Sequence, residues 1–226
     1  VVGASLYSLP RLCGTHLASE SNATLVSLLW TLSVLLMFLG SQNAVIAGIT
    51  ILPIANLLLT LASTALVINM ILTVSEATQE IPFPGWLIVY AFIGNIAAIL
   101  AIFISGAFNE GVGQWLLFHL AGGTFFFCGV AGVSLYSVSV GSGNPLWSKS
   151  LVAFTLFGAV ITINPMGSTD PSMVVDLFSL TSNELEASSR DVISGSFLMA
   201  LSAIPIIAFS ANTVSYTHLR AHETTN

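Results

Sequence analysis

The sequence predicts an all-α fold, a polytopic transmembrane helix bundle of about six full spans plus one partial N-terminal helix. Three observations predict it. Of 226 residues, 55% are hydrophobic and only 6% charged, against roughly 25% charged in soluble domains. Mean hydropathy is +0.93. The apolar residues fall in long runs near the ~20 residues that carry a helix across a bilayer, and no soluble domain separates them.

The elements follow in order. Val1 to Leu9 is the end of a helix, stopped by Pro10 and Arg11. Ala23 to about Gly40 is the first complete span, with Asn22 or Ser21 as its cap. Asn22-Ala23-Thr24 also fits a glycosylation sequon, but capping is the simpler use. Ala44 to Val74 is long enough to require tilt or a bend near Pro53. Trp86 to Ile104 follows the Pro82-Phe83-Pro84-Gly85 break. Val112 to about Val140, Leu151 to about Ile163 and Val192 to about Ala211 complete the set. Trp86, Trp115 and Trp147 sit at span entrances, where amphipathic rings anchor at the headgroup level. Gly122, Gly123, Gly129 and Gly132 are small residues that allow close helix approach. No internal repeat of 20 to 50 residues stands out.

The chain opens at Val1, inside an apolar stretch without a charged leader. The tail from Val214 through Ser215-Tyr216-Thr217-His218-Leu219-Arg220 to Thr224 resembles a translated sequencing adaptor. The expected organisation is a helical bundle over 1–213, as a fragment of a larger subunit, with 214–226 an artefactual tail.

Composition excludes several functions. Four Lys plus Arg against ten Asp plus Glu leave no basic patch for nucleic acid. Cys13 and Cys128 lie far apart, in neither a CxxC nor a zinc spacing. The turn Val140-Gly141-Ser142-Gly143-Asn144-Pro145 lacks the Lys of a phosphate loop, and Gly111-Val112-Gly113 lacks a third glycine and a preceding strand. Arg11 and Lys149 fall on one side of the membrane and Arg190 on the other. The positive-inside rule therefore places the first side in the cytoplasm. The opposite side carries Asp170, Asp176, Glu184 and Glu186, with Thr181 and Glu184 at capping-box spacing; such an acidic run is ordinarily a solvated face.

The spans contain no Lys, Arg, Asp or Glu. That counts against proton coupling through an intramembrane carboxylate. His119 is the exception, in the apolar run Gln114-Trp115-Leu116-Leu117-Phe118-His119-Leu120. An ionisable residue in a span is a functional candidate, and neutral imidazole is a common metal ligand. A neutral His bonded to a helix carbonyl or water is the alternative. One His does not make a metal site, which needs three or four ligands. His16 lies in a polar loop as a surface residue. Asn43, Asn56, Asn69, Asn95 and Asn164 stand in or beside spans, where interhelical hydrogen bonds are their default role.

The order of features resembles subunit I of the haem-copper oxidase superfamily, the C-type oxidases and nitric oxide reductases in particular. Ser5-Leu6-Tyr7-Ser8-Leu9-Pro10-Arg11-Leu12-Cys13 looks like the cytoplasmic end of the family's second helix. Gln114 to His119 looks like the opening of its sixth helix, which carries a copper-ligating His. Asn144-Pro145-Leu146-Trp147-Ser148 resembles the turn into helix seven, and the span with Ile204-Pro205 would be helix eight. The resemblance implies haem and copper as cofactors, electron transfer to oxygen or nitric oxide, other oxidase-type subunits as partners, and a prokaryotic inner membrane. It makes His119 the candidate copper ligand. The family's paired copper-ligating histidines would fall at Gly167-Ser168-Thr169-Asp170, where both are missing, so the copper site is incomplete. The haem ligands would lie beyond both ends of the chain. Two other readings stand beside this one. One is a non-catalytic membrane scaffold. The other is a transporter-like bundle, hinted at only by Pro53 and Asn56.

Overall fold

A computed structural model describes residues 1–41, 45–46, 48–104, 118–143, 146, 148–161 and 200–223. The helices are α1 (Val2–Cys13), α2 (Glu20–Ser41), α3 (Ile51–Ser75), α4 (Phe83–Ile104), a π-helix (Phe118–Phe127), α5 (Cys128–Ser142), α6 (Lys149–Ile161) and α7 (Ala203–Glu223). A two-residue antiparallel pair, Val45–Ile46 with Ile49–Thr50, precedes α3. Four helical segments are long and apolar enough to cross a membrane: Glu20–Gly40, Ile51–Ser75, Phe83–Ala101 and His119–Ser142. Lys149–Ala159 and Ala203–Val214 are apolar but shorter. The helical, membrane-embedded class therefore holds, with four spans of full length among the described residues rather than six. Residues 162–199 and the acidic loop within them lie outside the described residues.

Two compact units divide the chain, Val2–Ile81 and Pro82–Asn226 with Val1. In the first, α2 and α3 form an antiparallel pair. The buried positions of α3 are Ile51, Ala55, Ala62, Ser63, Leu66, Asn69, Met70 and Thr73, a stripe at helical period. Gly40 faces the start of α3 so closely that a Cβ there would stand 3.1 Å from the Leu52 backbone. Ser33 Oγ donates to the Ala55 carbonyl at 2.9 Å inside the interface. The outer face of α2 exposes Leu25, Leu28, Leu32, Val34, Leu35, Phe38 and Leu39. Water would penalise that much contiguous apolar surface; lipid tails do not.

Proline rules misplace two boundaries. Pro10 does not stop α1, which continues to Cys13. The stop is Gly14 at φ +65°. Its N–H donates to the Arg11 carbonyl at 3.3 Å, and the Thr15 N–H to the Pro10 carbonyl at 3.0 Å. That bond pair is a Schellman ending, which needs a left-handed residue. Pro53 does not bend a span: it lies in the first turn of α3, where an N–H would have no helical partner anyway. The strand pair takes up the preceding residues. The cap of α2 also shifts. Ser19 Oγ accepts the Asn22 N–H at 3.2 Å, so the helix opens at Glu20, an acid on the positive end of the dipole.

In the second unit, Leu87 and Ala91 of α4 pack with Phe127, Cys128, Ala131, Leu135, Val152 and Ala159. Gly132 permits that approach, since a Cβ there would meet Ile88 Cγ1 and the Pro84 carbonyl at 2.8 Å. Gly129 sits 3.5 Å from the Ala91 Cβ by the same construction, whereas Gly122 has open space around it and is no contact point. Trp86 is exposed near the start of α4, as an interface anchor requires. Trp115 and Trp147 lie outside the described residues. Helix α7 runs on through Val214 to Glu223, into the segment read as a tail.

Candidate functional site

The one histidine predicted to lie within a span, His119, is buried at 8% exposure. It stands near the start of the π-helix, one residue after Phe118. Such i→i+5 winding is rare and concentrates at functional sites. Here Thr124 Oγ1 donates to the His119 carbonyl at 3.1 Å, five residues back. The wider turn thus gives a buried hydroxyl a partner along its own helix. The half-buried Tyr90 side chain of α4 lies beside Thr124.

Close helix contact creates this polar seam. Gly94 faces Thr124, and a Cβ on Gly94 would collide with the Thr124 side chain. Phe92 and Phe125 flank the contact with ring centroids 6.5 Å apart. Asn95, 6% exposed, follows Gly94, and its Nδ2 has no hydrogen-bond partner among the described residues. A buried, unpaired amide donor costs about 1–3 kcal/mol. Tyr90, Asn95, His119 and Thr124 are thus buried or half-buried polar residues on apolar helices, and Thr124 is joined to the His119 carbonyl.

Metal-binding capacity is a separate question. Among the described residues no group of three or more His, Cys, Asp or Glu comes together. His119 belongs to no such group, so the described residues do not by themselves fit a copper site. Thr169 and Asp170, where the resemblance would put the other ligands, lie outside the described residues. Cys13 and Cys128 are both buried free thiols. Burial pushes the Cys13 thiol, at the end of α1, up from its ordinary value. His16 is exposed.

The asparagines divide sharply. Asn69 forms two bonds to the segment before α2: it accepts from the Ser19 N–H at 3.0 Å and donates to the Ser19 carbonyl at 2.8 Å. The expected interhelical role is met there. Asn56 is exposed, while Asn43 and Asn164 lie outside the described residues. Sequence reasoning missed Asn212. It accepts from the Ser148 N–H at 3.2 Å and donates to the Ser148 carbonyl at 3.0 Å. Its one visible signal was an amide within an otherwise apolar run. Gly94 and Tyr90 were also missed.

Compared with known protein families, curated proteins and solved structures, the chain matches none.

Proposed function

We propose that this chain is a fragment of a haem-copper-oxidase-like integral membrane subunit of a prokaryotic inner membrane, with an incomplete copper site. The observation that supports this most is the buried imidazole of His119 at the π-helical opening of a bilayer-length segment. In that reading the lipid bilayer surrounds the exposed faces of α2 and α3, and other oxidase-type subunits are the protein partners. Haem in the complete assembly would carry the electron chemistry, and protein groups would tune it. The described spans supply one imidazole, that of His119, and no complete ligand set, so no redox step is assigned to them.

A second reading, a non-catalytic membrane scaffold, is favoured by a specific observation. The side-chain amides with paired polar bonds, Asn69 and Asn212, bind the backbone of the residues that start α2 and α6. The transporter alternative rested on a break at Pro53, which instead lies in the first turn of a continuous helix.

The test is metal content and optical spectra of the protein purified from membranes, beside His119→Ala and His119→Gln. The redox reading expects iron or copper in the parent protein, and a spectrum or metal ratio that changes in both variants. A parent protein without metal or visible absorbance would leave the scaffold.

A further inference from the structure

One set of five hydrogen bonds occurs twice in the chain. At the first place, the Gly14 N–H donates to the Arg11 carbonyl at 3.3 Å. Ser19, five residues on, then caps α2: its Oγ accepts the Asn22 N–H and its carbonyl accepts the Ala23 N–H. Asn69, returning on α3, binds the Ser19 N–H and carbonyl. At the second place, the Gly143 N–H donates to the Val140 carbonyl at 3.3 Å. Ser148, again five residues on, caps α6: its Oγ accepts the Leu151 N–H and its carbonyl accepts the Val152 N–H. Asn212, on α7, binds the Ser148 N–H and carbonyl. Both glycines are left-handed, at φ +65° and +68°.

The glycines and serines of the two sets are 129 positions apart, the asparagines 143, and the sequences around the turns agree at the offset of 129. Without a gap, Val1, Gly3, Ser5, Leu6, Tyr7, Ser8, Gly14, Leu17, Ser19 and Ser21 match Val130, Gly132, Ser134, Leu135, Tyr136, Ser137, Gly143, Leu146, Ser148 and Ser150. Turn geometry accounts for the glycines and the capping serines. It does not account for Ser-Leu-Tyr-Ser. Those four residues sit in different surroundings in the two places: Tyr7 is exposed and Tyr136 half-buried, whereas Ser8 is buried and Ser137 exposed. Similar packing therefore did not select the identity.

We propose that the chain contains two copies of one membrane module, related by duplication. The module is a helix, a left-handed Gly turn, a Ser-capped helix, and an Asn-bearing helix that returns to bind the cap. This duplication stands independently of any redox role.

The test exchanges the turns in the full chain. Residues 15–18 replace residues 144–147, and the reverse, preserving the Gly-to-Ser spacing. Controls delete one residue from either turn. Duplicated modules predict that each exchange stays monodisperse with Tm within about 2 °C of the parent, a shift worth under about 1 kcal/mol at this size. Each deletion should instead lower Tm as much as Asn69→Ala or Asn212→Ala does. Exchanges as damaging as deletions overturn the proposal.

Discussion

Replacing Asn69 by Ala removes a side chain that is 1% exposed and holds the entry to α2. Two bonds disappear, to the Ser19 N–H at 3.0 Å and the Ser19 carbonyl at 2.8 Å. Their losses are unequal. The Ser19 carbonyl keeps the Ala23 N–H at 3.2 Å, whereas the Ser19 N–H has no other bond among the described residues. Side-chain bonds between membrane helices average about 0.6 kcal/mol, so the pair contributes about 1 kcal/mol. Stranding a half-buried donor adds about 1–3 kcal/mol. The expected destabilisation is about 2–4 kcal/mol, or a Tm lower by about 5–15 °C at 2–4 °C per kcal/mol for a chain of this size. Thermal unfolding of detergent-purified protein, followed by a thiol-reactive dye that reports the buried cysteines, measures it. The control is Thr64→Ala: Thr64 is exposed and its hydroxyl bonds only back to the Thr60 carbonyl of its own helix. A drop for Asn69→Ala no larger than for Thr64→Ala would refute the reasoning.

Three further outcomes are expected. Gly94→Ala places a methyl group against Thr124; overpacking of this kind costs about 1–3 kcal/mol, and Thr124→Ser should recover part of the loss in Tm by removing the nearer methyl. Gly122→Ala, with open space around the new Cβ, should leave Tm unchanged or slightly raised, because Ala favours a helix by up to ~1 kcal/mol over Gly. Cys13 and Cys128, both 0% exposed, should resist maleimide in the folded protein and react fully in denaturing detergent, as mass spectrometry would read; rapid labelling of either in the folded state would contradict its burial.

The sequence made the spans legible because lipid imposes a strong rule: backbone polar groups are satisfied within the segment, so long apolar runs become helices. Ala23 to Gly40 and Trp86 to Ile104 match α2 and α4 to within three residues. Boundaries at prolines were less legible, because the proline rule gives the local cost and not the alternatives. At Pro10 a Schellman ending four residues later governs the stop. At Pro53 a short strand pair shortens the helix until the proline falls in its first turn. The burial of His119 followed from its apolar neighbours. Its π-helical setting did not, since nothing in Phe118 to Phe127 marks a switch from i→i+4 to i→i+5 bonding. The Asn212 contact with Ser148 spans 64 residues, beyond the reach of local pattern, and the repeat it reveals has a period far longer than those of solenoid proteins.

The polar bonds also show how a chain with so little charge fixes its helix ends. Many hydroxyls among the described residues are satisfied within their own helix: Ser8, Thr24, Ser27, Thr31, Thr60, Thr64 and Thr155 all donate to a carbonyl four residues back. Such bonds neutralise a polar group without joining two elements. A primary amide can do more, because it presents a donor and an acceptor together and so can pair with one residue's N–H and C=O at once. Asn69 and Asn212 do this at Ser19 and Ser148, the residues whose backbone starts a helix. Gln79 and Thr78 extend the same device in the first unit, donating to the Arg11, Leu12 and Gly14 carbonyls at 3.3, 2.9 and 2.6 Å. An ion pair at the same places would carry the desolvation cost of two charges near the membrane. The neutral amide avoids that cost and still specifies which residue starts the helix. The fold is therefore expected to tolerate exchange among its lipid-facing apolar side chains far better than loss of either asparagine.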